Sequence, residues 1–190
     1  MTPTQFINNY WNDAVEVTKG TGIFPQTLIA QAILESAKGG KVPGSLLATK
    51  YNNYFGIKAG SKKIWKGGVV NLKTKEFTGT PNAVEIKDGF RVYDSPKDSF
   101  ADYVKFLSTK RYKPVREATT PEAQAMALKK AGYATDANYS SKLTAIINTV
   151  NKFKRLAGKA IDVVGQNKGV SMGVVLAVAG TLYLLTSKKK

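Results

Sequence analysis

Apolar positions recur along this chain first with a helical period, then with a period of two, then with a helical period again. Phe6, Ile7, Tyr10, Trp11, Ala14 and Val15 form one face, broken by Asn8, Asn9, Asn12 and Asp13, as an amphipathic helix requires. Its start is written in Thr2-Pro3-Thr4-Gln5: a capping threonine, a proline at the first helical position and a glutamine three residues after the cap. Leu28, Ile29, Ala32, Ile33 and Ser36 repeat the helical spacing between Pro25 and Gly39-Gly40, predicting a buried helix of about a dozen residues within 24–37. Pro43-Gly44 opens a short helical piece from Ser45 to Lys50.

From Tyr51 the helical period is lost. In residues 69–77, Val70, Leu72, Thr74 and Glu76 fall on one face of a strand, and Asn71, Lys73 and Lys75 on the other. Residues 83–93 place Asp88-Gly89 between two short alternating runs, which predicts a hairpin turning at that dipeptide. Ser95-Pro96-Lys97-Asp98 then caps a helix bearing Phe100, Tyr103, Val104 and Leu107. Thr120-Pro121 starts another that ends near Gly132. A last long helix aligns Tyr139, Leu143, Ile146, Ile147, Val150, Phe153 and Leu156. The globular domain is expected to span 1–155, followed by a basic helical linker at 156–168.

Residues 169–187 differ in kind, holding no charged side chain between Lys168 and the terminal Lys188-Lys189-Lys190. As a helix this stretch would rise about 28 Å, close to the roughly 30 Å hydrocarbon thickness of a bilayer, so a transmembrane helix with a basic tail at 188–190 is expected. Gly169 and Gly173 make a GxxxG spacing suited to self-association. The amphipathic start of the chain does not read as a secretory signal. Lys152, Lys154, Arg155, Lys159 and Lys168 lie in the 17 residues before the span, and three lysines follow it. That balance leans toward a cytoplasmic domain.

Composition narrows the chemistry. With no cysteine and no histidine, disulfides, thiolate metal sites and a serine triad are excluded. Catalysis would have to run on carboxylates, tyrosines, lysines or hydroxyls. The formal charge of +16 suits polyanions such as nucleic acid, anionic lipid or an acidic wall polymer, without choosing among them. The lysines are scattered and no nucleic-acid module is recognised, so nucleic acid is not expected as a partner.

Glu35 stands at the end of an otherwise uncharged helix. Apolar surroundings and the negative end of the helix dipole both disfavour its anion, so its pKa should rise. A carboxylic acid that stays protonated near neutrality can protonate a leaving sugar oxygen. The alternative is a side chain that points to solvent or pairs with Lys38 or Lys41.

Six segments, in order, carry a resemblance: "LIAQAILES" at 28–36, "NYFGIKAG" at 53–60, "TKEF" at 74–77, "FRVYDSPKDSFADY" at 90–103, "RY" at 111–112 and "GYATDANYSSKL" at 132–143. Together they resemble the glucosaminidase domains of glycoside hydrolase family 73, found in bacterial autolysins, flagellar rod-associated hydrolases and phage lysins. The resemblance implies a lysozyme-like α+β fold, a mainly helical lobe and a small antiparallel β-lobe flanking a groove for a glycan strand. It covers residues 4–150 and leaves the membrane segment outside.

By position in these motifs, Glu35 takes the general acid's place, Glu76 that of a second carboxylate on the β-lobe, and Tyr133 that of a tyrosine at the cleavage point. Asn53, Phe55, Gly56 and Lys58 match the groove loop, and Trp65 and Tyr139 are candidates to stack on sugar faces. Ser36 is followed by Ala37-Lys38-Gly39-Gly40 where many members have Ser-Gly-Trp-Gly, which alters one end of the groove. No metal or organic cofactor is implied.

The expected activity is hydrolysis of the β-1,4 backbone of peptidoglycan as an endo-β-N-acetylglucosaminidase. The competing functions are a muramidase or lytic transglycosylase, and a non-catalytic membrane-anchored protein that grips glycan or polyanion. The anchor and charge pattern together suggest a phage lytic enzyme in a virion membrane or the host cytoplasmic membrane.

Overall fold

A computed structural model describes residues 1–61, 64–76 and 84–165. The side chains of Lys75, Glu76, Val84, Glu85 and residues 159–165 lie outside that description. The chain runs α1 (Pro3–Thr18), α2 (Pro25–Ser36), α3 (Leu46–Tyr51), β1 (Val69–Glu76), β2 (Val84–Arg91), α4 (Pro96–Leu107), a 3-10 turn (Lys110–Tyr112), α5 (Lys113–Arg116), α6 (Pro121–Lys130) and α7 (Tyr139–Gly165). It is a helical lobe with a two-stranded antiparallel hairpin at its side.

The helix starts are those expected. Thr2 and Gln5 form a capping box at α1, and Ser45, Ser95 and Thr120 cap α3, α4 and α6 by accepting a backbone N–H. Each cap satisfies an amide that would otherwise be orphaned at a helix start, an effect of about 1 kcal/mol.

The helix carrying Glu35 departs from simple amphipathicity. All seven residues from Thr27 to Ile33 are buried, because α1, α6 and α7 surround α2. A helix buried on every side is apolar on every side, which is why this segment lacks charge until Glu35. Leu28 and Ile29 are wholly inaccessible, and truncating either to alanine should cost about 2–5 kcal/mol. The start of α2 is fastened from far away. Phe24 has no side-chain cap; instead the fully buried Gln124 of α6 accepts the Phe24 amide (3.1 Å) and donates to the carbonyls of Gly22 (2.6 Å) and Val115 (3.0 Å).

In the hairpin, Val69 pairs with Arg91 and Glu76 with Val84. Val70, Leu72 and Thr74 are half-buried and Val69, Asn71 and Lys73 exposed, the alternation read from the sequence. The turn is not where it was expected. Asp88 and Gly89 lie inside β2, opposite Leu72 and Asn71, and residues 77–83, between the strands, lie outside the described residues. The dipeptide serves another purpose. The Gly89 carbonyl accepts the amide of Ala59 at 2.8 Å, and a Cβ on Gly89 would meet Val69 Cγ1 at 3.1 Å and the Ala59 side chain at 3.9 Å. Asp88 accepts the Gly89 amide and pairs with Lys58, each at 2.8 Å. A glycine and an aspartate that look like a turn instead dock the 57–59 loop onto the strand.

The hairpin is tied to the helices at its base. Arg91 donates to Asp102 of α4 (2.6 Å) and to the Lys58 carbonyl (3.1 Å), and the Tyr93 hydroxyl donates to the same Asp102 oxygen (2.7 Å). The α7 helix runs unbroken for 27 residues, and its packing continues through Ala157, 4% exposed. Among the described residues no helix is long and apolar enough to cross a membrane. The segment 169–187 lies outside them.

Candidate active site

Glu35 occupies the last turn of α2, where the buried helix emerges beside a groove. One concavity of about 660 Å³ is lined by Glu35, by Phe55, Gly56, Lys58 and Arg91 on the hairpin side, and by Phe106, Arg111, Tyr112 and Tyr133 on the helical side. A second, of about 420 Å³, shares Glu35, Tyr133 and Ala134 with the first and adds Asp136, Tyr139 and Lys142. The carboxylate therefore stands where two hollows meet. A chain-like substrate could extend past it in both directions.

The surroundings of Glu35 are aromatic. Tyr133 lies against Tyr139 (5.7 Å between ring centroids), Tyr103 (6.0 Å), Tyr112 (6.3 Å) and Phe106 (6.5 Å). Phe55 stacks flat on Tyr103 at 3.9 Å. Although Glu35 is open to the groove, these groups displace water from its carboxyl, and desolvation raises its pKa. A hydrogen bond from the Tyr139 hydroxyl, 3.2 Å from Oε1, opposes the rise less strongly. No lysine is among the causes, so the alternative pairing with Lys38 or Lys41 is not realised. Burial, and then the nearby Glu35 charge, holds the Tyr133 hydroxyl well above its usual range, leaving it a neutral hydrogen-bonding group at any ordinary pH.

Behind Glu35 lies a line of buried polar groups. The Tyr103 hydroxyl donates to Gln31 Oε1, Gln31 Nε2 donates to the Tyr139 oxygen at 2.8 Å, and Tyr139 donates to Glu35. Three cations line the larger hollow. Lys58 is paired with Asp88 and Arg91 with Asp102. Arg111 donates to the carbonyls of Ala131 (2.6 Å) and Gly132 (2.5 Å) and has no carboxylate partner among the described residues.

An acid with a raised pKa, set among aromatic rings where two hollows meet, is an arrangement that glycoside hydrolysis can use. The comparisons agree, since a family model for glucosaminidase, described as mannosyl-glycoprotein endo-beta-N-acetylglucosaminidase, matches residues 11–152. The chain belongs to the glucosaminidase family. Its described part is a glycoside hydrolase domain. It is 37% identical over 140 residues to the peptidoglycan hydrolase FlgJ of Salmonella typhimurium, covering 73% of this chain and 43% of that protein. It is 38% identical over 132 residues to the exo-glucosaminidase LytG of Bacillus subtilis, covering 66% of this chain and 43% of that one. The chain thus spans less than half the length of these relatives. In structure it is similar to the catalytic domain of the autolysin Auto from Listeria monocytogenes, with a TM-score of 0.67, 34% identity, and 80% and 86% of the two chains covered.

Within this glucosaminidase domain, the groove gathers five of the nine residues singled out from sequence: Glu35, Phe55, Gly56, Lys58 and Tyr133. Gly56 turns with a positive φ of 64° and presents bare backbone to the groove. Three others have different settings. Asn53 is 1% exposed; it binds the carbonyls of Ile57 and Arg91 and the Ile57 amide at 2.9–3.0 Å, so it shapes the loop rather than meeting substrate. Trp65 does not line either hollow. Its indole N–H donates to the Gly68 carbonyl (2.9 Å), and its ring packs on Arg91 and Tyr93. Tyr139 is 4% exposed, too covered to stack on a sugar, and its hydroxyl binds Glu35 instead.

The ninth, Glu76, ends β1, and its side chain lies outside the described residues. Sequence reasoning gave no role to Gln31, Tyr103, Arg91 or Arg111. All four lie in segments that carried the resemblance, Gln31 in 28–36, Arg91 and Tyr103 in 90–103 and Arg111 in 111–112, but the bonds of Gln31 across 72 and 108 residues leave no local signal.

Proposed function

We propose that this domain hydrolyses the β-1,4 glycan backbone of peptidoglycan as an endo-β-N-acetylglucosaminidase, with Glu35 as general acid. One observation carries the reading: Glu35 is the single carboxylate among the described residues lining the larger hollow, it stands where the two hollows join, and burial keeps it protonated to higher pH. Protonated Glu35 gives its proton to the glycosidic oxygen as the bond to the anomeric carbon breaks. Tyr133 borders both hollows and supplies a neutral hydroxyl for the reacting sugar or its acetamido group. We assign the second carboxylate to Glu76, which either activates water or stabilises positive charge at the anomeric carbon; the acetamido group of the substrate is the other candidate nucleophile. Hollows on both sides of Glu35 suit cutting within a strand. Lys58, Arg91 and Arg111 suit an anionic wall polymer.

The test is digestion of purified peptidoglycan, with mass spectrometry of the fragments. N-acetylglucosamine at the new reducing end is expected. N-acetylmuramic acid there, or an anhydro sugar, would replace this reading by a muramidase or a lytic transglycosylase.

We also propose, from hydropathy and flanking charge alone, that residues 169–187 anchor the enzyme in a bilayer, as a phage lytic protein held in a virion or host membrane. Gly169 and Gly173 would be its self-association face. Full-length protein should enter the detergent phase on partitioning, and recovery in the aqueous phase would discard the anchor.

A further inference from the structure

We propose that Gln31 sets the direction of the buried hydrogen-bond line, so that Tyr139 donates to Oε1 of Glu35 and the proton of the neutral acid resides on Oε2. This rests on the reading of Glu35 as the general acid. Gln31 precedes Glu35 by four residues on α2, hence on the same face, and is wholly buried. An amide has one accepting end and one donating end. The accepting end, Oε1, takes the hydroxyl proton of Tyr103. The donating end, Nε2, occupies the Tyr139 oxygen at 2.8 Å. Tyr139 is left with one proton, and Glu35 Oε1 lies 3.2 Å away to receive it. A carboxyl oxygen that receives a donor there is not the one carrying the acid proton. Oε2, which has no hydrogen-bond partner among the described residues, is therefore the oxygen armed for transfer. Gln31, Tyr103 and Tyr139 are positioning residues, acting through Glu35 without touching substrate.

If the amide were turned over, every donor in the line would reverse. Tyr139 would donate to Gln31 and accept the proton of Glu35. The two directions have opposite consequences. A donor to Oε1 favours the ionised acid, whereas an acceptor of its proton favours the neutral one. Other titratable or charged groups face Glu35: Tyr103 from α4, Tyr133 and Asp136 from the α6–α7 loop, and Tyr112 and Arg111 from the 3-10 turn. Lys58, Arg91 and Lys142 complete the surroundings. All are retained when only the Tyr139 hydroxyl is removed, so a comparison with wild type reports the loss of that hydroxyl.

The experiment is a carbon-13 titration of the Glu35 carboxyl in the full chain, run beside the pH profile of hydrolysis, for wild type, Tyr139→Phe and Gln31→Met. Tyr139→Phe keeps the ring and its packing. The Glu35 titration should move upward by about half a pH unit or more, the worth of one hydrogen bond to the ionised form. Gln31→Met, which frees Tyr139 to rotate, should move it in the same direction by less. An unmoved or downward titration in Tyr139→Phe overturns the proposal, the downward case meaning that the line runs the other way. The alkaline limb of activity should follow the carboxyl. If the titration rises and the limb does not follow, the line stands and the general-acid reading falls.

Discussion

The two walls of the groove are built on different physical terms. The helical wall is held by side chains buried against one another: Gln31, Tyr103 and Tyr139 are each under 5% exposed, and their bonds converge on Glu35. The hairpin wall has two strands among the described residues, too few for a core of its own. It stands on its base, where Arg91 and Asp102 pair with side chains 11% and 14% exposed. Farther up, Lys58 and Asp88 pair at 45% and 31% exposure. The carboxyl we propose as general acid thus sits on the wall with the least freedom, the placement that preorganised catalysis favours.

The contrast can be broken most severely at the acid. Glu35→Gln should fold and lose about two to four orders of magnitude in hydrolysis rate, measured on soluble glycan strands with circular dichroism as the folding control. Retention of a tenth of wild-type activity by a folded variant would remove Glu35 from the chemistry. The same variant has a stability signature. Because the folded pKa of Glu35 is raised, the native state binds the extra proton, and wild-type stability falls as pH climbs from the unfolded value through the folded one. Glutamine is spared this loss. Denaturant unfolding should find the variant more stable than wild type above that window and equal to it below.

At the hairpin's base, Asp102→Ala strands the Arg91 guanidinium with most of its surface covered. Breaking a buried pair from one side costs about 3–5 kcal/mol; the residual exposure places this one at the lower end, about 3 kcal/mol. A shift in urea midpoint reads it, and a shift no larger than that of an exposed pair would mean the base is not what holds the hairpin.

Glu76→Gln should lower the rate by less than Glu35→Gln does. If it is silent while Glu85→Gln is not, the second carboxylate is on the other strand.

The smallest effect belongs to the outer pair. Lys58→Ala should change stability by less than about 0.5 kcal/mol, since solvent screens an ion pair so exposed. Hydrogen bonding from Lys58 is the first cause lowering the Asp88 pKa, so the pair's contribution is present above the unfolded carboxylate value and fades as pH falls through the lowered one. Urea midpoints of wild type and variant should therefore converge on acidification.

Much of this architecture was legible in advance because helices announce themselves locally. The caps at Thr2, Ser45, Ser95 and Thr120 are short-range chemistry, and the uncharged run of α2 ending in Glu35 could be read as burial. The failures share a cause. Asp88-Gly89 has the composition of a turn, yet its use is decided by the approach of Ala59 from another part of the chain. Asn53 and Tyr139 are polar residues within motifs, and whether such a residue faces substrate or a neighbouring backbone depends on what packs over it. Gln31 is the sharpest case. An amide in an apolar helix gives no hint of its partners when they lie at positions 103 and 139.

The Gln124 clamp has a bearing on how the enzyme is made. A nascent chain extended only through α5 already contains Glu35, both strands and α4, but not the amide that grips Phe24, Gly22 and Val115 together. Nor does it contain Tyr133 or Tyr139. The amide that holds the foot of the acid-bearing helix and the rings that desolvate its far end thus follow Glu35 by 89 residues or more, so a growing chain carries the carboxylate well before the groups that set its surroundings.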